Sequence, residues 1–582
     1  MFLPTTQKEM AALEWTALDV VLVSGDTYID APHIGISVIG KVLVDAGFRV
    51  GLIAQPDTRS SGDIARLGEP RLFWGVSAGC MDSLIANYTP ARKPRKQDDL
   101  TPGGKNTRRP DRASIVYTNL IRRYFKNTAP IVLGGIEASL RRISHYDDWS
   151  GRIRRSVLFD AKADLLVYGM GEQAVVQLAG RLAAGRSPEK AAAEIRGLCY
   201  IAREKPPGYI ELPGHDAVKK DKAAFREMFQ HFYENSDPVS ARGLVQLQDS
   251  RYLVQTPPQP LPATEALDRI HELGYEREVA PFYRRQGEVR AMETIRFSLA
   301  THRGCYGECH FCAIAVHQGR TIVERSEASL LREARQMTRH PRFKGIIQDV
   351  GGPTANMYGI ECKRKREKGP CRNKRCLTPS PCRQLPVNHS RQIRLLEKLR
   401  RVPGVKKVFV SSGIRHDMIL ADSTAGDKYL ETLIKHHISG QLKIAPEHCE
   451  DHVLALMGKP RIEGTRRFIR RFRRKTRELS KKQFLTCYFI AAHPGCTLKD
   501  MERVKDFARS ELHFTPEQVQ IFTPSPATIA TLMYYTETSW PEGRSIFVEK
   551  TAAGREKQKQ AVVGAGRRRK GGSHDRGNHS GT

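Results

Sequence analysis

Over the first 200 residues, short apolar runs alternate with stretches whose apolar positions recur at helical spacing. That is the pattern of parallel strands joined by helices. It predicts strands at 19–23, 49–54, 72–77, 130–133 and 164–168, several of them ending in small or turn-forming residues. Ser24, Gly25 and Asp26 follow the first run, Gly134 and Gly135 the fourth, and Gly169, Met170, Gly171 and Glu172 the fifth. In an open parallel sheet these carboxyl ends are where a ligand sits. Residues 1–203 are therefore expected to form a Rossmann-like, doubly wound α/β domain. The run YGMGEQA at 168–174 reads as a tight strand-to-helix turn, because a dinucleotide site uses the first strand of such a sheet.

A polar segment at 92–112 reads as a surface loop. Residues 204–285 read as a connector, with an amphipathic helix at 217–235 and a Pro-rich stretch at 257–262. From Glu293 the alternation resumes, with strands expected at 295–301, 345–350, 407–411, 442–445, 485–491 and 519–522. Six βα units in this order predict a partial (β/α)6 TIM-like barrel over 286–545, carrying a Cys-rich insertion at 357–390. Barrels of this kind place their chemistry on the loops after the strands. The remainder, 546–582, is basic, Gly-rich and poor in apolar residues, and is expected to be a disordered tail.

Composition narrows the picture. No apolar run approaches the roughly 20 residues of a bilayer span, and MFLPTTQKEM lacks the layout of a signal peptide, so a cytoplasmic protein is expected. Seven of the twelve cysteines fall between Cys305 and Cys382, a density that suggests metal ligation. Isolated thiols such as Cys80 and Cys199 read as small buried hydrophobes. The net charge of +32 would attract polyanions, which leaves RNA or protein open as a substrate, although no RNA-binding motif accompanies it.

The chemistry concentrates in GCYGECHFCAI at 304–314, where Cys305, Cys309 and Cys312 share one loop directly after an expected strand. Three thiolates bind three irons of a cubane and leave the fourth iron open to a chelating molecule. A zinc site completed by His302 or His310 is the alternative. A second set, Cys362, Cys371, Cys376 and Cys382, surrounds the basic run KRKREKGP and offers ligands for a further Fe-S cluster or a structural zinc.

The first loop resembles the CxxxCxΦC motif of radical S-adenosylmethionine (SAM) enzymes, with Phe311 in the aromatic place. The resemblance implies a 4Fe-4S cluster, SAM at its open iron, reductive cleavage of SAM to a 5′-deoxyadenosyl radical, and an electron donor such as a flavodoxin or ferredoxin. QDVGGPT at 348–354 is similar to the superfamily's Gly-Gly-Glu motif, with Pro353 in the Glu place, which leaves Gly351 and Gly352 as backbone contacts to SAM. By the same resemblance Ser411, Ser412 and Arg415 would address the ribose or carboxylate of SAM. Glu447 would meet SAM or substrate, an ion pair at the barrel rim being its alternative.

MFLPTTQKEM, GGIEASLRRISHYDDW from Gly134, LKIAPEH from Leu442 and FTPSPAT from Phe522 resemble the YgiQ family of radical SAM proteins, over nearly the whole chain. That resemblance implies a cobalamin-binding-like N-terminal domain but no known substrate. Cobalamin itself is not expected, because Asp30, His33 and Gly35 depart by one position from the Asp-x-His-x-x-Gly motif that supplies an axial histidine. A methylthiotransferase-like reaction would require the second cluster. The contrasting class is a nucleic-acid-binding protein with structural metal sites and no turnover.

Overall fold

The computed structural model describes residues 1–371, 374–514, 516 and 519–563. Five parallel strands form the heart of the first half, in the spatial order Val50–Ala54, Val20–Ser24, Phe73–Ser77, Ile131–Gly134 and Leu165–Val167. By chain order this is 2-1-3-4-5, the flavodoxin-like version of a doubly wound sheet, whose ligand crevice opens where the strand order reverses. The first three strands are buried at every residue. Helices cover both faces, which is why the sequence shows continuous apolar runs here rather than alternation.

The sheet does not end at residue 203. Leu198–Ala202 joins it antiparallel, Leu244–Gln248 and Arg251–Gln255 follow as a hairpin, and Ile210–Leu212 closes the edge, giving nine strands. The expected connector therefore supplies three strands to the first domain. The hairpin turns at Asp249 and Ser250, a two-residue turn whose first residue has φ 54°. The expected helix at 217–235 is two helices, His215–Lys220 and Lys222–Glu234. Asp221 breaks it by accepting from the main-chain N–H groups of Ala223 and Ala224 at 2.8 and 3.4 Å.

The polar segment at 92–112 is only partly a surface loop. Arg109 is buried, 3.0 Å from Asp98, and also pairs with Asp26 at the end of the first strand. Such ion pairing is what allows charged residues below the surface.

All six expected barrel strands form, as short parallel pairings: Ser298–Ala300 with Asp349–Gly351, Ile346–Ile347 with Lys407–Val408, and Gln441–Glu447 with Phe484–Ala491, which pairs in turn with Gln520–Ile521. A parallel bridge between Ile414 and Ile444 joins the third strand's loop to the fourth strand. The arginine-rich run at 461–482 is largely a helix, Ile462–Glu478. It buries Ile462, Thr465, Phe468, Ile469, Phe472 and Thr476, one stripe at helical spacing, and the basic residues make up its solvated side.

The expected tail is partly ordered. Ala552–Val562 is a helix with Arg555, Gln558 and Val562 buried. Gln558 accepts from Ala492 N at 2.8 Å and donates to Cys496 O at 3.0 Å, so main-chain pairing supplies what the polar composition concealed. The Gly- and Arg-rich remainder lies outside the described residues. Among the described residues, no helix is long and apolar enough to cross a membrane.

Candidate active site

The loop after Ser298–Ala300 turns sharply at Gly304, whose φ is 79° and where a Cβ would stand 2.1 Å from Thr321 O. No other residue fits. Gly307 is needed for a different reason: a Cβ there would lie 3.2 Å from Cys305 Sγ, 3.7 Å from Cys309 Sγ and 3.0 Å from Arg415 Nη1. Two of the three thiols and one guanidinium thus converge on a space that only a missing side chain leaves open.

The sulfurs are hydrogen-bonded from the protein side. Gly307 N–H donates to Cys305 Sγ at 3.3 Å, Thr354 Oγ1 lies 3.6 Å from the same sulfur, and Arg415 Nη1 donates to Cys309 Sγ at 3.7 Å. Burial pushes the Cys305 thiol up, and pushes the Cys312 thiol up to about 12. Cys305 and Cys312 thus rest protonated, and binding a metal would release those protons. Phe311 packs edge-on to His493 with ring centroids 6.2 Å apart.

The zinc alternative would need His302 or His310 beside the thiols. The Nδ1 of His302 meets Thr301 Oγ1 at 2.8 Å and that of His310 meets Leu456 O at 2.8 Å, and among the described residues the Nε2 of each has no partner. Among the described residues, no three Cys or His ligand atoms lie within 4.8 Å of one another. The three thiols, the glycine between them and the hydrogen bonds to sulfur suit a cubane.

Around this loop the other expected residues take their places. Gly351 ends the second strand, where a Cβ would lie 3.0 Å from Ala355 Cα, and Gly352 lies against the His302 ring, 2.6 Å from where its Cβ would be. Both thus let Ala355 and His302 pack directly against main chain, and both line a cavity between the two halves of the chain. Ser411 and Ser412 are already engaged. Both their N–H groups donate to Asp349 Oδ1, at 2.8 and 3.1 Å, Ser411 Oγ donates to Gln348 O at 2.7 Å, and Ser412 Oγ bonds Asp349. They join the second and third strand ends, and Ser412 lines the same cavity. Arg415 forms a two-point pair with Asp417 at 2.8 and 2.7 Å, which aims its remaining nitrogen at Cys309. Glu447 is buried with φ 70°, 3.5 Å from Lys459. Burial holds its carboxyl above the usual range, with Lys459 opposing. The rim ion pair, one of its two expected readings, is thus present.

The insertion at 357–390 braces the cluster loop from behind. Lys365 is buried and donates to Glu308 Oε1 at 2.9 Å and to Arg320 O at 2.6 Å. Arg375 donates to Glu308 O at 3.1 Å and Tyr233 to Glu308 Oε2 at 3.0 Å. Burial alone would raise the Glu308 carboxyl, but Lys365 and Arg320 hold it at about 2. Glu308 lies between two expected ligands, and that position was the only sign of its role.

A cavity of about 590 Å³ separates the two halves. Ser24, Ser77, Gly134 and the turn at 169–172 line one side, and Gly351, Gly352 and Ser412 the other. The helix Ala313–His317, directly after Cys312, forms a third wall. Cys80, expected to be a buried hydrophobe, opens on this cavity, because its main chain is drawn to Asp26 at 2.6 Å. Cys199 is buried as expected. His33 also lines the cavity, whereas Asp30 is tied to Ser37 at 2.7 Å and Lys41 at 3.2 Å.

A partial parallel barrel with three cysteines on the loop after its first strand defines a radical SAM fold, and comparison with known proteins agrees. Residues 299–508 match the radical SAM superfamily and residues 2–298 the radical SAM N-terminal family, so the boundary falls at the first barrel strand. The chain belongs to the UPF0313, or YgiQ, family. It is 53% identical to UPF0313 protein FN0734 of Fusobacterium nucleatum over 98% of this chain and 100% of that one. It is 48% identical to a UPF0313 protein of Thermotoga maritima over 97% and 98%. Among solved structures it is similar in fold to TsrM of Kitasatospora setae, a radical SAM methyltransferase solved with cobalamin and a [4Fe-4S] cluster bound. That match has a TM-score of 0.50 and 15% identity, and covers 94% of this chain and 85% of TsrM.

Proposed function

We propose that the protein is an enzyme that holds a 4Fe-4S cluster at Cys305, Cys309 and Cys312, binds SAM beside it, and acts on a compact organic substrate in the cavity between its halves. The convergence of two thiols and Arg415 around Gly307 carries this reading. A cluster so bound supplies an open iron and an electron for SAM cleavage. The residues of the chain do the rest. Gly307 N–H and Arg415 donate to the ligand sulfurs, which favours the reduced state. Gly351 and Gly352 line the cavity, where their main chain would meet the SAM amino group. The cavity is of a size that suits a small ligand, and it lies at the carboxyl ends of both sets of strands. A flavodoxin or ferredoxin is the proposed electron source.

Anaerobic reconstitution followed by dithionite and SAM tests the proposal. Release of 5′-deoxyadenosine is expected; its absence from protein shown to carry a full cluster would favour the nucleic-acid binder. A corrinoid is a second candidate for the cavity, favoured by His33 opening onto it and by the likeness in fold to TsrM. Against it, Asp30 pairs elsewhere. An absorption titration with hydroxocobalamin, repeated on His33→Ala, decides: a spectral shift in the natural chain that the variant loses supports the corrinoid.

A further inference from the structure

We propose that Cys362, Cys371, Cys376 and Cys382 hold a second iron–sulfur cluster, seated behind the loop that carries the first. The described part of the insertion contains one helix of six residues, Lys363–Lys368, and no strand. Its core is small and is shared with the cluster loop. Cys362, Leu377 and Leu385 pack there with Tyr306, and Cys376, Cys382 and Cys305 lie against them. Ordering a segment with so little regular structure costs conformational entropy that a core of this size offsets poorly. Four thiols on that segment supply the missing cross-link.

The surroundings of the thiols suit ligation. Arg364 Nη1 lies 3.0 Å from Cys371 Sγ and Lys365 Nζ lies 3.7 Å from Cys376 Sγ. Cations at this range stabilise thiolates, and N–H donors to sulfur stabilise bound clusters. Lys365 is buried, so its charge stays where the thiols and Glu308 need it.

The place of the thiols favours a cluster: Cys376 and Cys382 lie against the same small core as Cys305, so a redox-active centre there would sit beside the first one. This preference over zinc rests on the function proposed above. Among the described residues, the Glu450, His452 and Asp500 group is the one set close enough for a single ion. It is already engaged, Asp500 with Thr497 at 2.6 Å and Glu450 with Arg503.

Metal and sulfide analysis of the full chain, purified without oxygen, tests the proposal. The natural chain should carry about eight irons, and a Cys305→Ala/Cys309→Ala/Cys312→Ala variant about four irons with four sulfides. In the reverse experiment, Cys376→Ala/Cys382→Ala should lose about four irons and keep the spectral response of the first cluster to SAM. A triple variant that stays folded by circular dichroism yet holds no iron, or one zinc in its place, overturns the proposal. So does a double variant with the iron content of the natural chain, which settles the matter if the triple variant fails to fold. Failure of the SAM chemistry would look different: both clusters present and no response to SAM.

Discussion

Asn356 grips the main chain of Arg415 twice, accepting from its N–H at 2.7 Å and donating to its carbonyl at 3.0 Å. The same amide nitrogen meets His389 Nε2 at 3.2 Å, which leaves the proton on Nδ1, where it is donated to Asp422 Oδ2 at 2.7 Å. Asn356, His389 and Asp422 are all buried. This row of side chains, none of them near Cys305, Cys309 or Cys312 in sequence, sets where the Arg415 guanidinium points.

Replacing Asn356 with Ala should therefore loosen Arg415 rather than unfold the barrel. Leaving the buried partners unsatisfied costs about 1–3 kcal/mol. The expected outcome is a lower reduction potential of the first cluster and a modest fall in melting temperature. Potentiometric titration followed by electron paramagnetic resonance checks this; an unchanged potential would show that Asn356 serves stability alone.

Lys365→Met should be more damaging. It removes the main partner of Glu308, and breaking a buried pair from one side costs about 3–5 kcal/mol. Glu308→Gln in the same background should recover much of the loss, since it removes the charge left unpaired. Thermal unfolding of the single and double variants measures the difference.

Acid should destabilise the metal-free protein in two stages. Burial holds the buried His302, His437 and His493 down at about 4. Between about pH 6.5 and 4 the unfolded chain takes up protons that these folded imidazoles refuse, so stability falls as pH falls. Below that, Glu308, Asp417 and Asp422, held at about 2 against burial by their partners, keep their charge while the unfolded chain is neutralised, and a second loss follows towards pH 2. Melting temperatures from pH 7 to 3 should slope throughout; a plateau between 6.5 and 4 would contradict the first stage.

Gly307→Val should abolish iron binding at the first site, because its Cβ stands where the sulfurs of Cys305 and Cys309 approach. Circular dichroism should remain close to that of the natural chain, and iron and sulfide should fall by the content of one cluster.

The parts legible in the sequence were those where one constraint dominates. Strands buried on both faces, such as Val20–Ser24, announce themselves as apolar runs, and the cluster loop by the spacing of its cysteines. The hairpin at 244–255 was hidden because Gln246, Gln248 and Gln255 are polar yet buried while Leu247 is exposed, and the helix Ala552–Val562 because its anchors are Arg555 and Gln558. The engagement of Ser411 and Ser412 by Asp349, some sixty residues earlier, likewise leaves no mark in the sequence. The row from Asp422 to Arg415 leaves no local pattern, since its members meet only when the second and third barrel loops pack together.

The central claim is an iron corner beside Gly307 that SAM occupies. Electron paramagnetic resonance of the dithionite-reduced Cys376→Ala/Cys382→Ala variant, recorded with and without SAM, tests it most directly by leaving only the first cluster in view. The account predicts a cubane signal whose g-values shift when SAM is added and which disappears in a further Cys309→Ala variant. A cubane signal indifferent to SAM, or zinc in its place, would contradict it.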